Sequence, residues 1–263
     1  MTSPAVSAPH AQSAAALKLL SPTGHLGFTP IEEASFWTGV ERRPDYIVAD
    51  SGSCDIGPQA LGADAEASPE AWQEHDLELM LIASRRLGVP MIVGSAGDTG
   101  TDRGVRKFAQ IIRRLAKKHG LAPFRMATIY SQQDPEEIKK RLERGAWTAG
   151  LDGRPPLTAE DLDASDNVVA VMGVEPILAA LQGGADVVIA GRACDPALFA
   201  APLLHEGYPW DIAYFSGKLL ECASFCAEPF AGKESVLGHV EHDAIVLEPM
   251  RSEERRVGKE CRS

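Results

Sequence analysis

The residues best suited to chemistry in this chain stand at four places where a short apolar run ends in a glycine-bearing acidic turn. The turns are Asp50-Ser51-Gly52-Ser53-Cys54-Asp55 after Tyr46 to Ala49, and Gly94-Ser95-Ala96-Gly97-Asp98 after Met91 to Val93. Two more are Met172-Gly173-Val174-Glu175 after Val168 to Val171, and Gly191-Arg192-Ala193-Cys194-Asp195 after Val187 to Ala190. A carboxylate can move a proton or hold a hard cation through oxygen, and a guanidinium can clamp an anionic group through two hydrogen bonds. Asp50, Asp98 and Glu221 are therefore the candidate proton-transferring groups. Ser51, Ser53, Asp55, Gly94, Ser95, Gly97, Thr99, Glu175, Arg192 and Asp195 are the candidate substrate contacts.

Each turn also has a plainer reading. Gly94 to Gly104 carries a Gly-x-x-Gly-x-x-Gly spacing that could cradle an anionic oxygen at a helix start, or could be a structural tight turn. It is neither the dinucleotide fingerprint nor a P-loop. Asp50 and Asp55 could act as base or cation ligands, or could cap backbone N–H groups in an Asx turn. Arg192 could clamp a carboxylate or phosphate, or could pair internally with Asp195. Cys194 has no histidine partner that the sequence can assign, and a small buried thiol is the commoner fate. Cys222 and Cys226 are too few for a zinc site. Glu221, between Leu220 and Cys222, is a carboxylate that burial would raise toward a useful pKa, or else a solvent-facing helix residue. His25, after the first glycine turn, and His75-Asp76, at a helix start, are weaker candidates, and His239 and His242 read as a surface pair.

What must position these residues is an α/β framework. Leu17 to Leu20, Tyr46 to Asp50, Met91 to Val93, Phe124 to Tyr130, Val168 to Val171 and Val187 to Ala190 read as strands. Helical periodicity lies between them. Glu74 to Leu87 stops at Gly88 with Pro90 beyond; Val105, Phe108, Ile111, Ile112 and Leu115 mark one face of the next helix. Asp134-Pro135-Glu136-Glu137 is a helix start, Thr158-Ala159-Glu160-Asp161 a capping box, and Pro176 to Leu181 helix-like. Strands alternating with helices imply a mainly parallel, Rossmann-like sheet with helices on both faces, in which strand carboxyl ends share one ligand-binding crevice. Beyond Pro209 the pattern changes, with a helix over Gly217 to Phe225 and strands within Val236 to Leu247. The expected organisation is a disordered leader over 1–16, an α/β domain over 17–208, and the start of a second subdomain over 209–250.

At 263 residues, 44% of them hydrophobic, the chain can bury a real core. Its net charge of −11 argues against nucleic acid as a partner. The bases Arg106, Lys107, Arg113, Arg114, Lys117 and Lys118 read as a solvated helix face. No apolar stretch reaches the roughly 20 residues of a membrane span, and five irregularly spaced cysteines suit a reducing, cytoplasmic setting.

Residues 251–263 break from what precedes: Arg251 to Ser263 is, residue for residue, the translation of a widely used sequencing-library adapter. The expectation is a read-through artefact on a chain truncated near Met250.

Ser21-Pro22-Thr23-Gly24-His25-Leu26-Gly27, the turns beginning at Asp50, Gly94 and Gly191, and Gly217-Lys218-Leu219-Leu220-Glu221-Cys222 together resemble the acyclic terpene utilisation AtuA family, from about Leu17 to about Val240. The resemblance implies a protein of acyclic terpenoid or branched-carboxylate breakdown, acting on a small carboxylate or acyl-CoA. Lys218 and Ala223 stand where the family commonly has His and Gly, which weakens any histidine role for that motif. The resulting expectation is a non-redox lyase, hydratase or isomerase. The alternative is a non-catalytic binding or accessory subunit. A divalent cation such as Mg2+ at the acidic turns, and a homo-oligomer, both stay open.

Overall fold

Short apolar runs flanked by glycine turns give strands, and amphipathic segments between them give the covering helices. The computed structural model describes residues 16–52, 58–63, 65–146, 150–223 and 233–250. The elements are β1 (Leu17–Ser21), α1 (Glu33–Glu41), β2 (Tyr46–Asp50), α2 (Pro58–Gly62), α3 (Glu70–Leu87), β3 (Met91–Gly94), α4 (Asp102–Lys118) and β4 (Met126–Ile129). They continue with α5 (Pro135–Glu143), α6 (Ala159–Asp163), α7 (Glu175–Gln182), β5 (Val187–Ala190), α8 (Asp195–His205), α9 (Trp210–Leu220), β6 (Val236–Val240) and β7 (Ile245–Pro249). Ser53 and Asp55, Cys226, the tail and nearly all of the leader lie outside the described residues.

Among the described residues the strands form one seven-stranded sheet, ordered β4-β5-β3-β2-β1-β6-β7. Strands β1 to β5 pair in parallel, whereas β6 joins β1 and β7 joins β6 antiparallel. The change of pattern beyond Pro209 is thus a change of strand direction within the same sheet. Alternate strand residues feed two cores, as a period of two requires. Leu20, Ile47, Met91 and Val93 pack with Phe36, Leu77, Met80, Phe108 and Ile112 of α1, α3 and α4. Leu19, Val48, Ile92 and Val188 pack with Ile177, Leu198, Phe199, Ile212 and Leu220 of α7, α8 and α9. Each fully buried side chain of this kind contributes about 1.5–3 kcal/mol.

The caps follow local chemistry. Gly88 ends α3 in the left-handed region at φ 71°, Asp134 accepts from the Glu136 amide, and Thr158 with Asp161 makes the full capping box. The basic face of α4 is exposed and also laced to acids beside it, with Arg114 to Glu74 at 2.8 Å and Lys118 to Glu78 at 2.6 Å. Exposed pairs of this type contribute roughly 0–1 kcal/mol each.

Two expectations need correction. Val168 to Val171 is no strand of the sheet: it makes only the isolated bridge Gln132 to Val169, with a second, Met172 to Ala193, just beyond it. Both sides of β5 are already taken by β3 and β4, so this run lies across the carboxyl end of β4, where the Ala170 amide donates to the Ser131 carbonyl at 2.8 Å. A four-residue apolar run cannot by itself declare which neighbour it meets. The helix expected over Gly217 to Phe225 overlaps α9, which begins earlier, at Trp210, and ends at Leu220; residues 224 and 225 lie outside the described residues.

The neighbours β3 and β5 carry the chain to opposite faces of the sheet. The loop after β3 leads to α4, on the face with α1 and α3, and the loop after β5 leads to α8 on the other. Such divergence at strand carboxyl ends is the switch point at which open α/β sheets bind ligands.

Candidate functional site

The loop after β3 is held in an improbable backbone shape by its neighbours. Ser95 (φ 46°), Gly97 (φ 71°), Asp98 (φ 64°) and Gly100 (φ 67°) all occupy the left-handed region, which disfavours residues with a Cβ. The amides of Ser95 and Ala96 donate to the carbonyls of Gly191 and Ala190, both at 3.0 Å, and so stitch this loop to the end of β5. Gly100 must be glycine twice over, since a Cβ there would sit 2.4 Å from the Arg192 amide nitrogen. In front of Gly94 the space is filled by Leu198 of α8, and Gly97 packs on Gly104. These two glycines bring elements close together.

Arg192 is the buried tie between the turns. Its guanidinium donates to the Gly52 carbonyl at 3.2 Å, the Asp98 carbonyl at 2.8 Å and Ser95 Oγ at 3.5 Å. Its amide donates to Ser131 Oγ at 2.8 Å, and Ser131 Oγ donates onward to the Gly100 carbonyl at 2.9 Å. The ends of β2, β3, β4 and β5 are thereby wired together through one side chain and its backbone.

Two carboxyl groups of opposite character lie on this frame. Asp50, 3% exposed at the end of β2, hydrogen-bonds the Asp195 carboxyl and Ser95, while its Oδ1 has no partner. Burial pushes its pKa well above the usual 3.8, the Asp195 charge adds to the rise, and the Arg192 guanidinium only partly opposes it. Two carboxyls in contact cannot both ionise cheaply, which adds to the preference of Asp50 for its neutral form. Asp98, fully buried, accepts from Ser68 N at 2.7 Å, from Ser68 Oγ at 2.6 Å and from His25 Nε2 at 3.2 Å. Burial alone would raise its pKa, but those donors outweigh it and hold the carboxyl below the usual range.

The remaining candidates surround these two. Ser51 is buried, its carbonyl 2.9 Å from His25 Nε2, and Thr99 is buried with its hydroxyl 3.2 Å from that of Thr101. Glu221, 5% exposed, is bonded to Lys218, whose charge also feels Asp195 and Cys222. Ser21 Oγ at the end of β1 donates to the Leu220 carbonyl at 2.7 Å, which seats the end of α9 over the same rim. Glu175 is exposed at the start of α7, and its segment runs beside the loop after β5 through the Met172 to Ala193 bridge. The Tyr214 hydroxyl of α9 has its pKa raised by burial first, and then by the charges of Glu175 and Cys194. Among the described residues no group of three or more His, Cys, Asp or Glu is arranged to hold a metal ion.

Sequence reasoning missed Ser68 and Ser131, and it weighed His25 too lightly. Ser131 was discoverable, because it follows the run Phe124 to Tyr130 as the other site residues follow theirs. Nothing near Ser68 announces its role, which comes from a fold contact across 30 residues.

With the geometry in view, comparison with known families is informative. Residues 17–242 match the model of the acyclic terpene utilisation family protein AtuA, and the chain belongs to that family. A search of curated proteins finds no match. Among the described residues no helix is long and apolar enough to cross a membrane.

Proposed function

We propose that this protein is a catabolic enzyme of acyclic terpenoid or branched-acyl breakdown that performs proton-transfer chemistry of the isomerase, hydratase or lyase type on a small carboxylate or acyl-CoA. The observation that carries the reading is the contrast between Asp50, whose pKa is pushed well up by burial and the Asp195 charge beside it, and Asp98, whose pKa is held down by hydrogen bonds from His25 and Ser68. Environments that push the pKa values of two neighbouring groups apart create an acid and a base at one pH. A neutral Asp50 can donate to a carbonyl oxygen as negative charge develops there, a role worth about 10²–10⁴ in rate for a well-placed group. Its unpartnered Oδ1 is the atom of the pair left over for a substrate.

The surroundings support an acyl substrate. Arg192 is occupied with backbone carbonyls and holds the frame, so the reading assigns it orientation of Asp50 by charge as well as any contact with an anionic end. Tyr214, with Trp210 stacked on it at a centroid distance of 5.8 Å, would give an apolar tail a wall on α9. Lys218, largely exposed beside Glu221 and Asp195, would face the polar end of a bound thioester. Glu221 is the reserve proton carrier on that side.

The test is solvent deuterium uptake into isovaleryl-CoA, its unsaturated counterpart and the free acids, followed by mass spectrometry. The reading expects uptake or hydration that falls at least about 10²-fold in Asp50→Asn. Tight binding with no exchange or turnover would instead assign the protein to the accessory, ligand-binding class.

A further inference from the structure

The acid side of the proposed reaction has a named group, while the ionised side has a carboxylate whose oxygens are already engaged by three donors. Asp98 Oδ1 faces Ser68 Oγ and His25 Nε2, and Oδ2 faces the Ser68 amide. A carboxylate so saturated is a poor base, because protonation would cost it those bonds. The ring it touches is different. His25 Nε2 lies 2.9 Å from the Ser51 carbonyl and 3.2 Å from Asp98 Oδ1. A carbonyl oxygen only accepts, as does an ionised carboxylate, so Nε2 must carry the hydrogen. In the neutral ring the lone pair is then on Nδ1, to which no described residue is hydrogen-bonded.

The mounting of the ring is rigid. The Leu26 amide donates to the Asp50 carbonyl at 2.8 Å, so the loop after β1 is pinned to the strand end that presents the acid. Asp76 holds the same loop from beneath, accepting from the amides of Gly27 at 2.8 Å and Ile31 at 2.9 Å. The Phe28 ring lies 5.2 Å from the imidazole, centroid to centroid, and the His25 side chain is 9% exposed. A carboxylate that fixes the tautomer of a histidine and steadies the imidazolium is a known way to prepare a base.

Resting on the acid–base reading above, we infer that His25 is the catalytic base through Nδ1 and that Asp98 is a positioning residue acting through it. In the step this implies, Nδ1 takes a proton from the carbon beside the substrate carbonyl. The C–H electron pair moves to form the enolate, whose oxygen accepts a hydrogen bond or the proton from Asp50. Return of a proton from the imidazolium to carbon, with any proton on the enol oxygen passing back to Asp50, restores both groups and, in deuterated solvent, exchanges the hydrogen. The chemistry requires no further reactant, and it matches a substrate with an acidic hydrogen next to a carbonyl.

Long-range ¹H–¹⁵N correlation spectra of the labelled protein, with the His25 signals identified by their loss in His25→Gln, read the tautomer without any substrate. In the neutral ring a protonated Nε2 with a bare Nδ1 is the expected result, and a protonated Nδ1 with a bare Nε2 overturns the inference. With isovaleryl-CoA as probe in deuterated buffer, His25→Ala is expected to lose about 10²–10⁴ in kcat with little change in KM, and added imidazole to restore part of it. Asp98→Asn is expected to lose roughly tenfold in kcat and to mix the His25 tautomers. Wild-type exchange that persists undiminished in the His25 variants sinks this inference and leaves the acid–base reading standing. A wild-type protein that exchanges neither isovaleryl-CoA nor isovalerate and does not hydrate their unsaturated counterparts sinks both.

Discussion

Asp50 and Asp98 end adjacent strands or begin their exit loops, both are buried, and both lie within reach of Arg192, yet they are opposites. Asp50 is near Ser95 and another acid and keeps an oxygen without a partner, so neutrality is its cheaper state. Asp98 has a hydroxyl, an amide and an imidazole, so charge is cheaper for it. Burial is common to the two sites and cannot be what distinguishes them. The number and sign of neighbouring groups does, and those neighbours come from segments far off in the chain, Asp195 for Asp50 and Ser68 and His25 for Asp98. Asp50 looks toward α8 and its acidic N-terminus, and Asp98 toward the segment entering α3.

Their contributions to stability must therefore run in opposite directions with pH. Asp98 has a lowered folded value, so its contribution is present above pH 3.8 and is lost as pH falls through that folded value. Asp50 has a raised folded value, so its contribution is present below pH 3.8 and is lost as pH rises toward that value. The largest expected stability effect follows from stripping the donors' partner: Asp98→Asn should destabilise by about 3–5 kcal/mol at pH 7, read by denaturant unfolding, with the deficit shrinking at acidic pH. A loss under about 1 kcal/mol would mean that the Ser68 and His25 bonds are not formed.

Next in size is the hinge between the two centres. Gly100→Ala meets both a left-handed backbone and the Arg192 amide, and should cost about 2–4 kcal/mol in the same measurement, because the obstruction is main chain and cannot rotate away. The converse of the first variant sharpens the contrast. Asp50→Asn should stabilise at pH 7, by about 1.4 kcal/mol for each unit by which burial has raised the carboxyl, and lose that advantage below pH 3.8. A protein stabilised where it loses activity is what a strained catalytic acid implies. The smallest effect belongs to the outer helices. Glu78→Gln breaks the links to Lys118 and His119, which lie far from either carboxyl, and should shift stability by less than about 1 kcal/mol, a change that fades in salt.

Much of this frame is legible in the residues. Apolar tetrads before Gly94 and Gly191 mark β3 and β5, and the stripe from Val105 to Leu115 marks α4, because burial on one face leaves a periodic trace. That Asp50, Asp98 and Arg192 meet at one rim follows from placing each at a strand's carboxyl end. Their chemical states do not follow from it. Asp50 and Asp98 have the same local signature, an acid in a glycine turn, and differ through Asp195 on one side and Ser68 and His25 on the other, all distant in sequence. Val168 to Val171 shows the complementary failure: its apolar tetrad looks like those of β3 and β5, but pairing depends on which strand edges remain open, a property of the whole sheet.

The account rests on Asp50 carrying a proton when Asp98 does not. Carbon-13 NMR of the aspartate side-chain carboxyls, assigned with the two Asn variants and titrated across pH, measures both at once. The account predicts that Asp50 stays protonated well above pH 3.8 while Asp98 is still ionised below it. Two carboxyls titrating together near 3.8 would contradict it.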